Sequence, residues 1–277
     1  MLATITWNPD PTAFSLFGFD VRWYSLCWIL ALLSGYLVMQ RLYKDQRIDN
    51  RKFEPLFLYI FIGVLVGARL GHCLFYEPQY YLNHIPEMLL PIKQDVYGNW
   101  HLTGYEGLAS HGGVLGMICA IALYSRRYKV NIMRVLDNMG VVAPLSAAFI
   151  RLGNLFNSEI VGNPTGLPWG FVFIHNGEDF PRHPAQLYEA LCYTLLFIIT
   201  LLVYKKLRSK TGKGFFFGLC LTVIFTFRFI VEFFKDNQVA FEDSMLLNMG
   251  QWLSLPLVAI GIYCMAGGKW CKKLSEN

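Results

Sequence analysis

Charge is the scarcest commodity in this chain. Only 16% of its 277 residues are Asp, Glu, Lys or Arg, against about 25% in an ordinary soluble domain. In their place, 55% of residues are hydrophobic and mean hydropathy is +0.38, a balance that argues against a water-solvated fold. Paired cysteines are missing too. The seven present, Cys27, Cys73, Cys119, Cys192, Cys220, Cys264 and Cys271, are scattered singly with no CxxC and no Cys/His ligand spacing, so neither a disulfide framework nor a zinc site is expected. The HExxH and GxSxG patterns are absent, which removes the zinc-peptidase and serine-hydrolase signatures. No positively charged segment precedes the first apolar run, so no cleavable signal peptide is expected. No internal repeat or low-complexity linker is evident, so residues 1–277 are expected to form one domain.

What the chain does have is a series of apolar stretches, each about long enough to cross a bilayer, which takes roughly 20 residues. Spans are expected at Trp23–Met39, Leu56–Phe75, Leu108–Tyr124, Val135–Ile150, Leu187–Tyr204, Phe215–Phe234 and Met249–Met265. Most of the 24 Lys and Arg residues cluster after alternate spans: Arg41 to Lys52, Arg126 to Arg134, Lys205 to Lys213 and Lys269 to Lys273. Positive charge at span ends marks the cytoplasmic side. The pattern predicts an all-α polytopic membrane protein of seven transmembrane helices, N-terminus outside and C-terminus in the cytoplasm. The net charge of +5 lies at span ends, so anionic lipid headgroups rather than nucleic acid are its expected partner. Two outer segments, at about residues 77–106 and 157–186, are too long for turns. The first holds Tyr80, Tyr81, His84, Tyr97, Trp100, His101 and Tyr105, as in an interfacial aromatic belt; in the second, Trp169 to Phe173 reads as a short strand.

Charges inside the spans are the candidates for function. Arg69, Arg151 and Arg228 fall within or beside apolar stretches, where an unpaired Arg costs about 2.5–3.5 kcal/mol or more. Each must face another of the three, a carboxylate (Glu106, Asp137, Glu189 or Glu232), water or a bound anion. A guanidinium offers a planar fork of donors matched to phosphate oxygens, and on this topology all three lie toward the outer leaflet, so a phospholipid headgroup is the expected ligand. The densest polar run at membrane depth is Arg151 to Gly162, where Arg151, Asn154 and Ser158 are spaced to share a helical face and Gly153 permits close approach of a neighbour. At the outer end of the third span stands Ser110-His111-Gly112-Gly113. The glycines are expected to clear space beside an imidazole suited to moving protons near neutral pH.

These blocks, with Arg182-His183-Pro184-Ala185-Gln186-Leu187-Tyr188-Glu189 and Arg228-Phe229-Ile230-Val231-Glu232-Phe233, resemble the motifs of the bacterial prolipoprotein diacylglyceryl transferases. The similarity runs in order from Trp23-Tyr24 to the last span, and the run beginning at Arg151 is its most specific part. The resemblance implies a plasma-membrane (inner-membrane) enzyme that moves a diacylglyceryl group from phosphatidylglycerol to the lipobox cysteine thiol of a prolipoprotein signal peptide, releasing glycerol phosphate. It also implies a small extracytoplasmic head and arm, and no metal or organic cofactor. Two positions depart from the family pattern: Ile224 stands where a Tyr is frequent, and His72 follows Gly71.

A thiol with a pKa near 8.5 is only a few per cent ionised at pH 7. On this reading His111 takes its proton, while Arg151 and Arg228 bind the phosphate and stabilise charge growing on the leaving group. Asn154 and Glu159 position headgroup or arginines, and Gly162 permits the turn out of the membrane. Tyr24 and Arg69 line the cavity wall, and Arg182 and His183 serve the head or the peptide. A transporter or channel for an anionic lipid would use the same arginines without a thiol acceptor.

Overall fold

The computed structural model describes residues 4–90, 92–95, 98–102, 107–235 and 247–276. Ten helices and six short strands lie along them: β1 Ile5–Trp7, β2 Thr12–Leu16, β3 Phe19–Arg22, α1 Trp23–Asp45, α2 Asn50–Phe75, α3 Pro78–Tyr81, α4 Ile85–Leu89, β4 Ile92–Gln94, β5 Trp100–Leu102, α5 Ser110–Tyr128, α6 Ile132–Phe156, β6 Phe171–Phe173, α7 Ala185–Lys206, α8 Phe215–Val231, α9 Met249–Met265 and α10 Lys269–Glu276. Each of the seven expected spans falls on a helix, with Leu108 and Ala109 ahead of α5 and Glu232–Phe234 in a 3-10 turn after α8. Five, α1, α2, α6, α7 and the Phe215–Phe234 segment, are long and apolar enough to cross a membrane; the bent pair of α9 and α10 raises the count to six. The chain is thus a multi-helix protein with the length and composition for several membrane crossings. It divides into two compact units, residues 43–135 and the remainder.

In the first unit, Met1–Leu42 with Leu136–Asn277, the expected strand after Trp169 forms as β6. It pairs in parallel with β1, Ile5 opposite Phe171 and Trp7 opposite Phe173. Leu155, Phe171 and Phe173 form a small core there, with Trp7, Val161 and Leu187 packed on it, and Trp7 Nε1 donates to the Leu155 carbonyl at 2.9 Å. A second staple is Asp137 on α6. Its carboxylate accepts from the backbone N–H groups of Gly212, Lys213, Gly214 and Phe217 at 2.8–3.1 Å, so it fixes the α7–α8 turn rather than neutralising an arginine. Gly212 and Gly214 both take positive φ there, which glycine adopts without penalty.

In the second unit, Tyr43–Val135, α2 and α5 meet through small residues at a four-residue spacing. A Cβ on Gly67 would collide with the Gly112 carbonyl, and one on Gly116 with the Gly63 carbonyl. This is the small-xxx-small contact that lets membrane helices approach closely. Gly112 is therefore consumed by helix packing, not by clearance beside His111 as expected. The Ala109 N–H donates to the Ala68 carbonyl at 2.9 Å and ties the start of α5 to α2. The expected aromatic segment folds as α3, α4 and the antiparallel pair β4–β5; Tyr97, Tyr105 and Glu106 lie outside the described residues.

Candidate active site

Among the described residues, two carboxylates of the first unit hold three cations. Glu189, near the start of α7 and wholly buried, faces both Arg151 Nε at 3.0 Å and Lys235 Nζ at 3.3 Å through Oε2. Its Oε1 accepts from the Tyr193 hydroxyl at 3.2 Å. Glu232, capping α8, faces Arg228 Nε at 3.6 Å and Lys235 Nζ at 3.5 Å through Oε1, while its Oε2 accepts from Asn248 Nδ2 at 3.2 Å. Lys235 is buried, whereas the Arg228 side chain stays 38% exposed. Of the partners weighed for the embedded arginines, Arg151 and Arg228 each take a carboxylate. Buried pairing roughly cancels its own desolvation cost, so the pairs make these charges tolerable without making them a source of stability.

The run after Arg151 extends the network. Arg151 Nη1 approaches Asn154 Oδ1 at 3.5 Å, Asn154 Nδ2 donates to Glu159 Oε1 at 2.7 Å, and Gln186 Nε2 donates to the Glu159 carbonyl at 2.5 Å. Gln186 and Glu189 stand one turn apart on α7, so a single helix face holds both ends of the run. Among the described residues the outer edge of the Arg151 guanidinium carries only that long contact. Ser158 corrects the expectation of a shared helical face: α6 ends at Phe156, and Ser158 and Ile160 take positive φ. A Cβ on Gly153 would meet the Tyr24 ring at 3.0 Å and Cys27 Cβ at 3.2 Å, so side chains of α1, not a backbone, occupy the space its missing Cβ leaves.

Gly162 does not supply a left-handed turn. It needs to be glycine because a Cβ would meet the Phe234 carbonyl at 2.5 Å and His183 Cβ at 2.6 Å. Its N–H donates to the His183 carbonyl at 2.9 Å, its carbonyl accepts from Arg182 Nη1 at 3.2 Å, and it bridges Lys235 in antiparallel fashion. Gly162 is thus the crossing point that brings Lys235 inward. Arg182 also pairs with Glu178 at 2.6 Å. His183 Nδ1 lies 3.1 Å from the Tyr188 hydroxyl, which accepts from Trp169 Nε1 at 3.0 Å. That hydroxyl therefore has its proton available for Nδ1. Burial pushes the His183 imidazole below its ordinary pKa, so it is neutral at pH 7.

Two expected site residues belong to the second unit. Arg69 is buried; its Nη2 donates to the Glu87 carbonyl at 2.5 Å and its Nε to the Met88 carbonyl at 3.3 Å, with the guanidinium 4.8 Å over the Tyr81 ring. Instead of lining a cavity wall, Arg69 fastens α4 to α2. The Glu87 carboxylate accepts from the Tyr80 hydroxyl at 2.6 Å and the Gln94 N–H at 3.1 Å. His111 is exposed on the first turn of α5. Sequence reading named Glu189 and Glu232 only as possible carboxylate partners and did not single out Lys235 or Gln186 as site residues. For Glu189 and Gln186 a signal existed, since both sit in the block beginning at Arg182.

With this geometry in place, comparison with known proteins is decisive. The family model described as prolipoprotein diacylglyceryl transferase matches residues 11–266. A Bacteroides fragilis protein named phosphatidylglycerol–prolipoprotein diacylglyceryl transferase is 57% identical over 265 residues, covering 96% of this chain and 95% of its own. Proteins of the same name from Tolumonas auensis and Porphyromonas gingivalis are each 44% identical, covering 94% of this chain and 95% and 93% of theirs. The chain belongs to the prolipoprotein diacylglyceryl transferase family.

Proposed function

We propose that this chain transfers the diacylglyceryl group of phosphatidylglycerol to the lipobox cysteine thiol of a prolipoprotein signal peptide. The sulfur–carbon bond forms as the carbon–oxygen bond to phosphate breaks, the thiol gives up its proton, and glycerol phosphate leaves. The observation that carries the reading is the guanidinium of Arg151, held by Glu189 through Nε with its outer edge turned to Asn154. That orientation leaves the fork of terminal nitrogens, the part suited to two phosphate oxygens, for a ligand. Arg228, partly exposed and held at 3.6 Å by Glu232, supplies the second cation, and both strengthen their hold as the leaving phosphate gains charge.

His111 accepts the thiol proton, directly or through water, and the Tyr24 ring beside Gly153 walls the headgroup. Asn154 and Glu159 keep the Arg151 edge in register. Gly162 and His183 shape the outer segment where the peptide arrives. An almost wholly apolar groove of about 470 Å³ along α2 and α5, between Leu58, Ile62, Val66 and Leu123, suits an acyl chain. The protein works in the bacterial inner membrane with seven spans, residues 77–106 and 157–186 outside as arm and head, the N-terminus outside and the C-terminus in the cytoplasm.

The test is to incubate purified protein in vesicles with phosphatidylglycerol and a lipobox peptide. A diacylglyceryl mass increase on the peptide, with release of one glycerol phosphate per modified thiol, is the expected result. Glycerol phosphate release without peptide modification identifies a lipase instead, and lipid movement without either product identifies a transporter.

A further inference from the structure

The hairpin β2–β3 has two unlike faces. In its register Phe14 stands opposite Val21 and Leu16 opposite Phe19, while Ser15 stands opposite Asp20. Side chains alternate along a strand, so Phe14, Leu16, Phe19 and Val21 share one face and Ser15 and Asp20 the other, where Ser15 Oγ donates to Asp20 Oδ1 at 2.5 Å. The apolar face is uncovered: Phe14, Leu16 and Phe19 are 48%, 53% and 77% exposed, and Phe17 at the tip is 93% exposed. An isolated two-stranded hairpin is marginal in water, and one that offers four large apolar side chains to water is worse. The turn repeats the anomaly. Phe17 and Gly18 both take positive φ, as a type I′ turn requires, and the residue that suits the first of these positions is Asn, Asp or Gly. An aromatic ring in that place is poor turn chemistry unless its surroundings reward it.

The base of the hairpin shows what those surroundings are. β3 ends at Arg22 and α1 begins at Trp23 with no intervening residue. The Trp23 N–H donates to the Pro11 carbonyl at 3.1 Å, closing the hairpin onto the first turn of a helix long and apolar enough to span a membrane. Strands of five and four residues cannot carry the tip far from the membrane boundary, since each residue adds about 3.3 Å. We propose that this hairpin is a lipid-contacting blade: its Phe14, Leu16, Phe17 and Phe19 face is immersed in the boundary between headgroups and acyl chains of the outer leaflet, with Ser15 and Asp20 toward water. Aromatic side chains favour this layer, and burial of the apolar face there supplies the packing the hairpin lacks within the chain. A signal peptide, the other apolar partner at hand, is the less favoured occupant, because the blade sits at the membrane boundary whether or not a peptide has arrived. The inference rests on α1 crossing the membrane.

The test places p-benzoylphenylalanine singly at positions 15, 17, 19 and 33 of the full chain, reconstituted in phosphatidylglycerol-containing vesicles with and without a lipobox peptide, and reads adducts by mass after illumination. Leu33, exposed at mid-α1, controls for the span. The expected result is lipid adducts at 17 and 19 in yields near that at 33 and several-fold above that at 15, unchanged by peptide. Peptide adducts at 17 and 19 without lipid adducts make the face a peptide-docking surface and overturn the proposal. So does labelling at 33 with none at 17 or 19. Absence of lipid adducts at 33 as well overturns the span reading itself.

Discussion

Glu189 holds Arg151 and Lys235 on one oxygen, at 3.0 and 3.3 Å, although the residues come from α7, α6 and the segment after α8. Oε2 takes no aligned hydrogen bond, so charge and position rather than donor geometry define the contact. Removing one partner of a buried ion pair costs about 3–5 kcal/mol, because the leftover charge stays uncompensated. Glu189→Gln strands Arg151 and leaves Lys235 to Glu232 alone, and is expected to lower Tm steeply. Glu189→Gln combined with Lys235→Met removes a cation and an anion together and is expected to recover part of that loss, Arg151 remaining without its carboxylate. Transfer should remain low in the double variant, because Arg151 has lost the carboxylate that orients it. Recovery of both Tm and transfer would mean that Glu189 only neutralises Lys235.

Arg151→Ala and Arg228→Ala are expected to abolish transfer while the protein still inserts. Arg151→Lys should fail as well, since an ammonium is a point charge and cannot present a fork to two oxygens. The check is product formation against phosphatidylglycerol concentration in vesicles. If Arg151→Lys merely raised KM with kcat intact, simple charge attraction would account for the site.

Gly67 and Gly113 make a paired comparison in the second unit. A Cβ on Gly67 meets the backbone of Gly112, whereas one on Gly113 has neighbours no nearer than 3.5 Å. Gly67→Ala must push two helices apart, an overpacking cost of about 1–3 kcal/mol that outweighs the helix propensity Ala gains, about 1 kcal/mol. Gly113→Ala keeps that gain. Thermal melting in detergent should therefore fall for Gly67→Ala and hold or rise for Gly113→Ala.

Glu87 gives the segment after α2 a pH dependence. Burial opposes its ionisation, but the Tyr80 hydroxyl and the Gln94 N–H outweigh burial and hold the carboxyl below its ordinary value. Because the folded-state value lies below that of the unfolded chain, near 4.3, this contribution is fully present above that range. It is lost as the pH falls through the folded-state value. Proteolytic nicking between Pro78 and Leu102 should stay low at neutral pH and rise as the pH falls below the ordinary carboxylate range. Glu87→Gln should raise nicking at neutral pH and flatten the dependence.

The parts legible in sequence and the parts hidden divide along a physical line. Apolar run length located every long helix, because crossing a bilayer demands length and little else. The cost of a charge in lipid pointed to Arg151 and Arg228 for the same reason. Lys235 escaped notice because, at the end of an apolar run, it reads as a helix-end cation. What turns it inward is a crossing at Gly162, 73 residues earlier, and no local pattern encodes that. Ser158 misled by spacing alone, since the helix that would have carried it to the Arg151 face ends two residues before. The packing role of Gly112 was legible: Gly63, Gly67 and Gly71 repeat at the spacing of Gly112 and Gly116, but the nearby His111 drew the glycine into a catalytic reading.

His111 carries the sharpest remaining demand on the mechanism, because a thiol must lose its proton and the cation network of the first unit offers no base free of an ion pair or amide. Among the described residues the exposed imidazole on α5 has no hydrogen-bond partner, which leaves both ring nitrogens open to a thiol or a water. His111→Ala and His111→Gln are expected to lose most of kcat with KM for phosphatidylglycerol nearly unchanged, since the proposed headgroup contacts are those of Arg151 and Arg228. Raising the pH should rescue these variants in part, because a thiol with a free pKa near 8.5 ionises unaided above it. The measurement is the pH–rate profile of transfer in vesicles for wild type and both variants. A wild-type plateau that the variants approach only in alkali supports His111 as the base, and near-full activity of His111→Ala at pH 7 assigns the proton to another acceptor.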